Sequence, residues 1–208
     1  ADQPVVVKKP GKPVGAKGLT CSVSTLFTIR QLAEMTNYYE TKSQPITRLM
    51  VWRSYWKVRA NKGSSGIDDM EWETMDKNRE PLLYKLWNRL TSGSYFPPPV
   101  KEVEIRKKDG GTRKPGIPTI LDRIAQEVVK AYLEPKPEPC FHESSYGYRK
   151  GRNCHQAVEK ATQNALQHNW AIDLDIKGFF DNIDHDLLLK AVKHYCNEKW
   201  VSMYVERW

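Results

Sequence analysis

Two carboxylates, Asp173 and Asp175, stand inside an otherwise apolar run, AIDLDI from Ala171 to Ile176, that reads as a β-strand. Strand side chains alternate between faces, so Ile172, Leu174 and Ile176 would share one side and the two aspartates the other. Unpaired charge is costly to bury, so the acidic side must meet water or a ligand. Gly178 follows, where a backbone can approach another group closely, and then come Phe179 and Phe180. A carboxylate at a strand end beside a glycine turn suits a hard cation such as Mg²⁺. That ion takes one or two protein carboxylates and completes its octahedron with water and phosphate oxygens. The same residues also fit a plain solvated sheet face, with Asp181 and Asp184 serving as helix caps.

A second chemical signal lies upstream. VKEVEIRKKDGGTRKPGIP, from Val100 to Pro118, reads as a β-hairpin: Val100, Val103 and Ile105 suit the first strand, and Asp109-Gly110 supplies the turn. Arg106, Lys107, Lys108, Arg113 and Lys114 surround that turn. They fit either a solvated charged tip or a finger that grips phosphates.

The 208 residues carry a net charge of +8, and the positive groups are clustered. VVVKKPGKPVGAKG is a basic, Pro/Gly-rich arm, and EIRKKDGGTRK and YRKGRN are basic knots. Such clusters suit a polyanion, because each neutralised phosphate releases counterions. A hydrophobic fraction of 39% with seven Trp and ten Tyr points to a folded chain with a real core. No stretch approaches the ~20 apolar residues of a membrane span, and the amino-terminal stretch lacks the apolar core of a secretory signal. Four scattered cysteines with no CxxC fit a reducing, cytoplasmic compartment. Cys140, His142, Cys154 and His155 have zinc-ligand types, but their spacings match no common zinc module.

Several helices are needed to position these groups. Residues 1 to about 22 read as a flexible arm, and Ser24 could cap a helix through Leu26, Ile29, Leu32 and Met35. PITRLMVWRSYWKVRANKG predicts a helix with Leu49, Trp52, Tyr55 and Trp56 on one face, stopped at Gly63. EWETMDKNREPLLYKLWNRLTSG predicts another, with an apolar stripe of Leu82, Leu83, Leu86, Trp87 and Leu90 ending at Gly93. TILDRIAQEVVKAYLEP predicts a helix capped by Thr119, with Asp122 reaching back to the cap and Ile120, Ile124, Val128 and Leu133 packed. HQAVEKATQNALQHN and DHDLLLKAVKHYC predict two more, the second capped by Asp184.

From about Ser43 to Trp208 the chain resembles the amino-terminal part of a bacterial group II intron-encoded reverse transcriptase, or maturase. The resemblance is carried by VWRSYWKVRANKGSSGID, LYKLWNRLTSGSYFPPPVKEVEI, KKDGGTRKPGIPTILDRIAQEVVKAYLEP, SSYGYRKGRN and DIKGFFDNIDHDLL, in the family's order and near its spacing. It implies an α+β right-hand fold: helical and β-hairpin fingers, then the start of an RRM-like palm. On that scheme 1–42 is a basic arm and helix outside the resemblance, 43–169 the fingers with an RNA-binding extension, and 170–208 the first part of the palm.

The resemblance also implies roles. DIKGFFDNI matches the first palm motif, so Asp175 becomes the catalytic metal ligand, with the Ile176 carbonyl a second contact to Mg²⁺. Phe180 would sit beneath the incoming sugar, and the backbone at Gly178 and Phe179 would approach the triphosphate. Asp173 has no family role, and Asp181 fits a structural position at the following helix. Lys107 and Arg113 match the basic pair that closes on the dNTP. Ile117 and Pro118 would lie over the templating base. Arg149 and Arg152 would approach the template backbone, and Arg53 and Lys57 belong to the extension that holds template or intron RNA. The implied activity is RNA-directed DNA synthesis from a DNA primer, with a splicing role on intron RNA, in a bacterial cytoplasm and away from membranes.

Three departures stand out. Ile105-Arg106-Lys107 replaces the family's usual I-P-K, and Arg113-Lys114-Pro115 its usual R-P-L. The family's Y-x-D-D motif, primer grip and thumb are not in these 208 residues, so the chain is expected to be one part of the enzyme and inactive alone. A non-catalytic RNA-binding splicing scaffold and a retron-type reverse transcriptase are the rival readings. The LYKLWNRLTSGSYFPPPVKEVEI segment and its spacing favour the intron type.

Overall fold

The structure, a computed structural model, describes residues 40–106 and 110–208. The basic arm, most of the helix expected from Ser24, and Lys107 lie outside the described residues.

Thr47 starts α1 (Arg48–Ala60): its hydroxyl accepts from the Met50 N–H at 3.2 Å, satisfying one of the donors a helix start leaves unpaired. The buried stripe of α1 is Val51, Ser54, Tyr55 and Val58. The face expected from the sequence was Leu49, Trp52, Tyr55 and Trp56, so only Tyr55 is common to both. Trp56 is 49% exposed. Its indole packs edge-on against Tyr55 at 5.0 Å and Trp52 at 5.9 Å between centroids, and leaves half of itself in solvent. The left-handed residue after α1 is Lys62, at φ 44°, not Gly63. Gly63 serves a different need, since a Cβ there would collide with the Arg123 guanidinium.

The third expected helix is two. α2 (Trp72–Lys77) stops at Asn78, and α3 (Arg79–Thr91) begins after it. Pro81 lies in the first turn of α3, where its missing N–H costs no helical bond; within one continuous helix it would break the ladder. The stripe of α3 buries Leu83, Leu86, Trp87 and Leu90, and Gly93 ends it at φ +74° as expected. Trp87 is the largest fully buried side chain, and its indole N–H donates to the Ile46 carbonyl at 2.9 Å.

Thr119 caps the long helix α4 (Ile120–Leu133), accepting from Asp122 N–H at 3.2 Å. The carboxylate of Asp122 does not reach back to the cap. It is 1% exposed and accepts from Tyr95 Oη at 2.7 Å, Trp208 Nε1 at 2.8 Å and Gln126 Nε2 at 3.0 Å. A buried carboxylate is stable only with such partners. α4 packs on α1 and α3, and this three-helix contact forms the larger part of the core.

α5 (Cys154–Ala165) is capped by Asn153 and buries no residue. α6 (His185–Tyr195) is capped by Asp184, which accepts from Leu187 N–H at 3.0 Å, as the sequence predicts. α7 (Lys199–Arg207), which sequence reading did not single out, buries Trp200, Val201 and Tyr204 against α4 and α6. Tyr204 Oη donates to the Leu90 carbonyl at 2.7 Å, and Arg207 Nη1 to those of Gly93 at 2.9 Å and Tyr95 at 2.7 Å.

Residues 171–176 do not form the expected strand. Ile172, Leu174 and Ile176 are 85%, 88% and 68% exposed, so neither a ladder nor a packed face exists there. A strand needs a neighbour to take its N–H and C=O groups, and none of the described residues supplies one. The mixed class, helices with small antiparallel β-pairs, stands.

Candidate nucleotide cleft between the hairpin and Asp175

The hairpin is made of β1 (Lys101–Glu102), β2 (Ile105–Arg106), β3 (Thr112–Arg113) and β4 (Gly116–Ile117). Lys101 faces Ile117, Glu102 faces Gly116, Ile105 faces Arg113 and Arg106 faces Thr112, one antiparallel register throughout. The ladder is interrupted where Val103 meets Pro115. Val103 N–H donates to the Pro115 carbonyl at 3.1 Å, and proline has no N–H to return. Of the two hairpin departures from the family pattern, Arg113-Lys114-Pro115 reaches this break, while Ile105 and Arg106 lie in the paired part of the ladder.

Alternation along this register separates the charges. Lys114 shares a face with Glu102 and Glu104, and its ammonium contacts their carboxylates at 3.0 and 2.9 Å. Hydrogen bonding to Glu104, then to Glu102, raises the Lys114 pKa above its ordinary value. Arg113 lies on the opposite face. Among the described residues no carboxylate pairs with it, and it is exposed. Near the tip, Gly110 adopts φ +85°, which only glycine takes without strain.

Below the hairpin, Gly178 turns the chain at φ +61°. Asn182 closes that turn by donating to the Gly178 carbonyl from its backbone N–H at 3.1 Å and its Nδ2 at 2.8 Å. Any Cβ at 178 would come within 2.9 Å of Asn182 Nδ2. Phe179 and Phe180 pack edge to face at 5.3 Å, and Phe180 is 78% exposed, so it is not a core aromatic here.

A cleft of about 730 Å³ lies between these two parts. Thr112, Arg113, Lys114 and Pro115 line it from the hairpin, and Asp175, Ile176, Gly178, Phe179, Phe180 and Asp181 from the other side. Asp173 is not among the lining residues. The cleft therefore gathers Asp175, Ile176, Gly178, Phe179, Phe180 and Arg113 from the sequence-derived set.

The donors fit a share of a Mg²⁺ shell. The Asp175 carboxylate and the Ile176 carbonyl are hard oxygens on an exposed segment, and such an ion takes its other ligands from water and phosphate. Among the described residues no group of three or more His, Cys, Asp or Glu could hold a metal ion, so there is no all-protein cage and no zinc cluster at Cys140, His142, Cys154 and His155.

The other residues lie outside the cleft. Ile117 and Pro118 are half-buried just before the cap of α4. Gly66 packs on them closely enough that a Cβ would sit 2.6 Å from Thr119 Cα. Arg149, expected at a template backbone, spends its guanidinium within the protein. It pairs with Glu138 at 2.9 Å and donates to the His142 and Ser145 carbonyls, each at 2.8 Å. Its side chain is only 9% exposed, so this arginine organises the loop before α5 instead of presenting charge. Arg152 stacks over Tyr146 at 5.4 Å. Lys57 is held by Glu127 at 2.5 Å, whereas Arg53 is exposed and unpaired among the described residues. Sequence reading missed the Glu102/Glu104/Lys114 grouping, although its i, i+2 spacing on an alternating strand is a legible signal.

Residues 105–207 match the family described as reverse transcriptase (RNA-dependent DNA polymerase). This segment, just under half of the chain, is similar to reverse transcriptases. The chain is 35% identical over 167 residues to the group II intron-encoded protein LtrA of Lactococcus lactis subsp. cremoris, covering 74% of this chain and 27% of that protein. It is 34% identical over 133 residues to protein YkfC of Escherichia coli (strain K12), covering 62% and 35%. It is also 34% identical over 127 residues to the putative COX1/OXI3 intron 1 protein of Saccharomyces cerevisiae, covering 61% and 15%. The chain thus spans about a quarter of the LtrA protein. The likeness to a bacterial group II intron-encoded protein and to the reverse transcriptase model agrees with the sequence motifs. Among the described residues no helix is long and apolar enough to cross a membrane.

Proposed function

We propose that this chain forms the fingers and opening palm of an RNA-directed DNA polymerase of the group II intron type, which also binds intron RNA for splicing. The observation that carries the reading is the cleft that brings Arg113, unpaired among the described residues, and the Asp175–Phe180 segment onto one concavity. Arg113 grips the triphosphate of the incoming dNTP with its donor fork. Gly178, free of a side chain, lets the backbone beside Phe179 approach the same phosphates, and Phe180 offers a flat apolar surface to the sugar. Asp175, with the Ile176 carbonyl, would hold Mg²⁺, which would supply neutralisation of phosphate charge and a lowered pKa for the attacking hydroxyl. Lys107 joins Arg113 on the triphosphate, Ile117 and Pro118 bear on the templating base, and Arg152 and Arg53 follow the RNA backbone. The RNA-binding fingers occupy 43–169 and the palm begins at 170, in a protein that works in the bacterial cytoplasm.

The test is Asp175→Ala in the polymerase that contains this chain. cDNA synthesis on a primed RNA template should be abolished while RNA binding survives. Extension near the parent rate would remove Asp175 from the metal site.

A further inference from the structure

Outside the cleft, α1 and α3 build an aromatic surface that the proposed polymerase chemistry does not use. Trp56 is 49% exposed on α1, with Trp52 one turn before it. The Arg79 guanidinium lies 4.8 Å from the Trp52 ring centre and 5.6 Å from that of Trp56. Arg79 is the first residue of α3, where the helix dipole disfavours a cation, and its Nε is buried without a hydrogen-bond partner. Aromatic faces, not helix electrostatics, account for its place. Arg53, one turn from Trp56, is exposed and unpaired among the described residues. The neighbouring cation Lys57 is already neutralised by Glu127, and the Asp76 carboxylate is taken up by Arg59 and Tyr55.

We infer that Trp56, backed by Trp52 and Arg79 and flanked by Arg53, is a stacking platform for one unpaired RNA base. Half of a tryptophan left in water beside a guanidinium unpaired among the described residues is the pairing that single-stranded nucleic acid uses: a π-face for the base and a cation for the adjoining phosphate. This rests on the RNA-binding reading above and names the residues that make one of its contacts. It also moves the recognition role on α1 from Lys57 to Trp56.

The test measures binding of the 208-residue chain to a single-stranded RNA 20-mer across a salt series, and to the same RNA with abasic positions. Trp56→Ala should weaken binding about 5- to 150-fold, the effect of one base stack, without changing the slope of log K against log salt. Trp56→Phe should keep most of the affinity, which separates stacking from misfolding. Abasic substitution should weaken the parent and leave Trp56→Ala unaffected. Arg53→Ala should instead lower the slope by about 0.7, one phosphate of a single strand. Trp56→Ala binding within twofold of the parent, or losing slope in place of affinity, overturns the platform alone. A parent chain that does not bind RNA overturns both the platform and the RNA-binding function.

Discussion

Arg113 and Lys114 are adjacent and both basic, yet the hairpin register sends them to opposite faces with unlike partners. Lys114 sits between two carboxylates at 3.0 and 2.9 Å, while Arg113 has no such partner among the described residues. Their truncation should therefore separate. A charge-assisted hydrogen bond to phosphate is worth about 1.5–3 kcal/mol, so Arg113→Ala should lower kcat/KM for dNTP by about 10- to 150-fold. Lys114 makes only exposed ion pairs among the described residues, so its removal should cost about fivefold or less. Arg113→Lys should fall between, since lysine keeps the charge but loses the fork. The assay is single-nucleotide addition to a primed RNA template over a range of dNTP concentrations, using the complete polymerase. If Lys114→Ala proves as damaging as Arg113→Ala, the face assignment and the triphosphate role built on it are both wrong.

Other expectations concern the frame. Asp122→Ala strips the acceptor from the buried Tyr95 hydroxyl and the Trp208 indole, so urea denaturation should show about 2–5 kcal/mol lost. Trp87→Ala, at the centre of the three-helix core, should cost about 3–5 kcal/mol in the same measurement. Burial pushes the Tyr204 phenol up to about 12, so the folded state favours its neutral form. That stability is complete below the ordinary tyrosine value near 10 and should be lost as pH rises from there through about 12; in Tyr204→Phe the decline over this range should be smaller. Hydrogen bonds from Arg59, then Tyr55, hold the Asp76 carboxyl below its ordinary value. Its contribution should persist above pH 4 and fade at lower pH, and Asp76→Asn should flatten that acid limb.

Much of this frame was legible wherever one local rule decided the outcome. Thr119 and Asp184 were readable as caps because a side-chain oxygen ahead of an apolar periodic run has few other uses. Gly93 was readable as a stop, and the hairpin as two strands around a glycine turn. The buried face of α1 was not readable, because aromatic residues occupy two faces of that helix. Which face enters the core is settled by packing on α4 and α3, helices distant in sequence. Asp122 looked like a capping residue, but its true partners, Tyr95 and Trp208, are 27 and 86 positions away. Arg149 sits in a basic motif, yet the acceptors around it outcompete solvent. The 171–176 run has strand composition, but composition cannot provide a neighbouring strand. For the site, motif and geometry meet at Asp175, Gly178, Phe180 and Arg113, while the Lys114 clamp needed the register.

The central claim is that Asp175 holds a divalent ion in the cleft beneath the hairpin. Replacing Mg²⁺ with Fe²⁺ in the complete polymerase, with dNTP bound and peroxide added, generates hydroxyl radicals that cut the backbone nearest the ion. Cuts should map to residues 112–115 and 175–181 and vanish in Asp175→Ala. Cuts elsewhere, or a pattern unchanged in Asp175→Ala, would contradict the account.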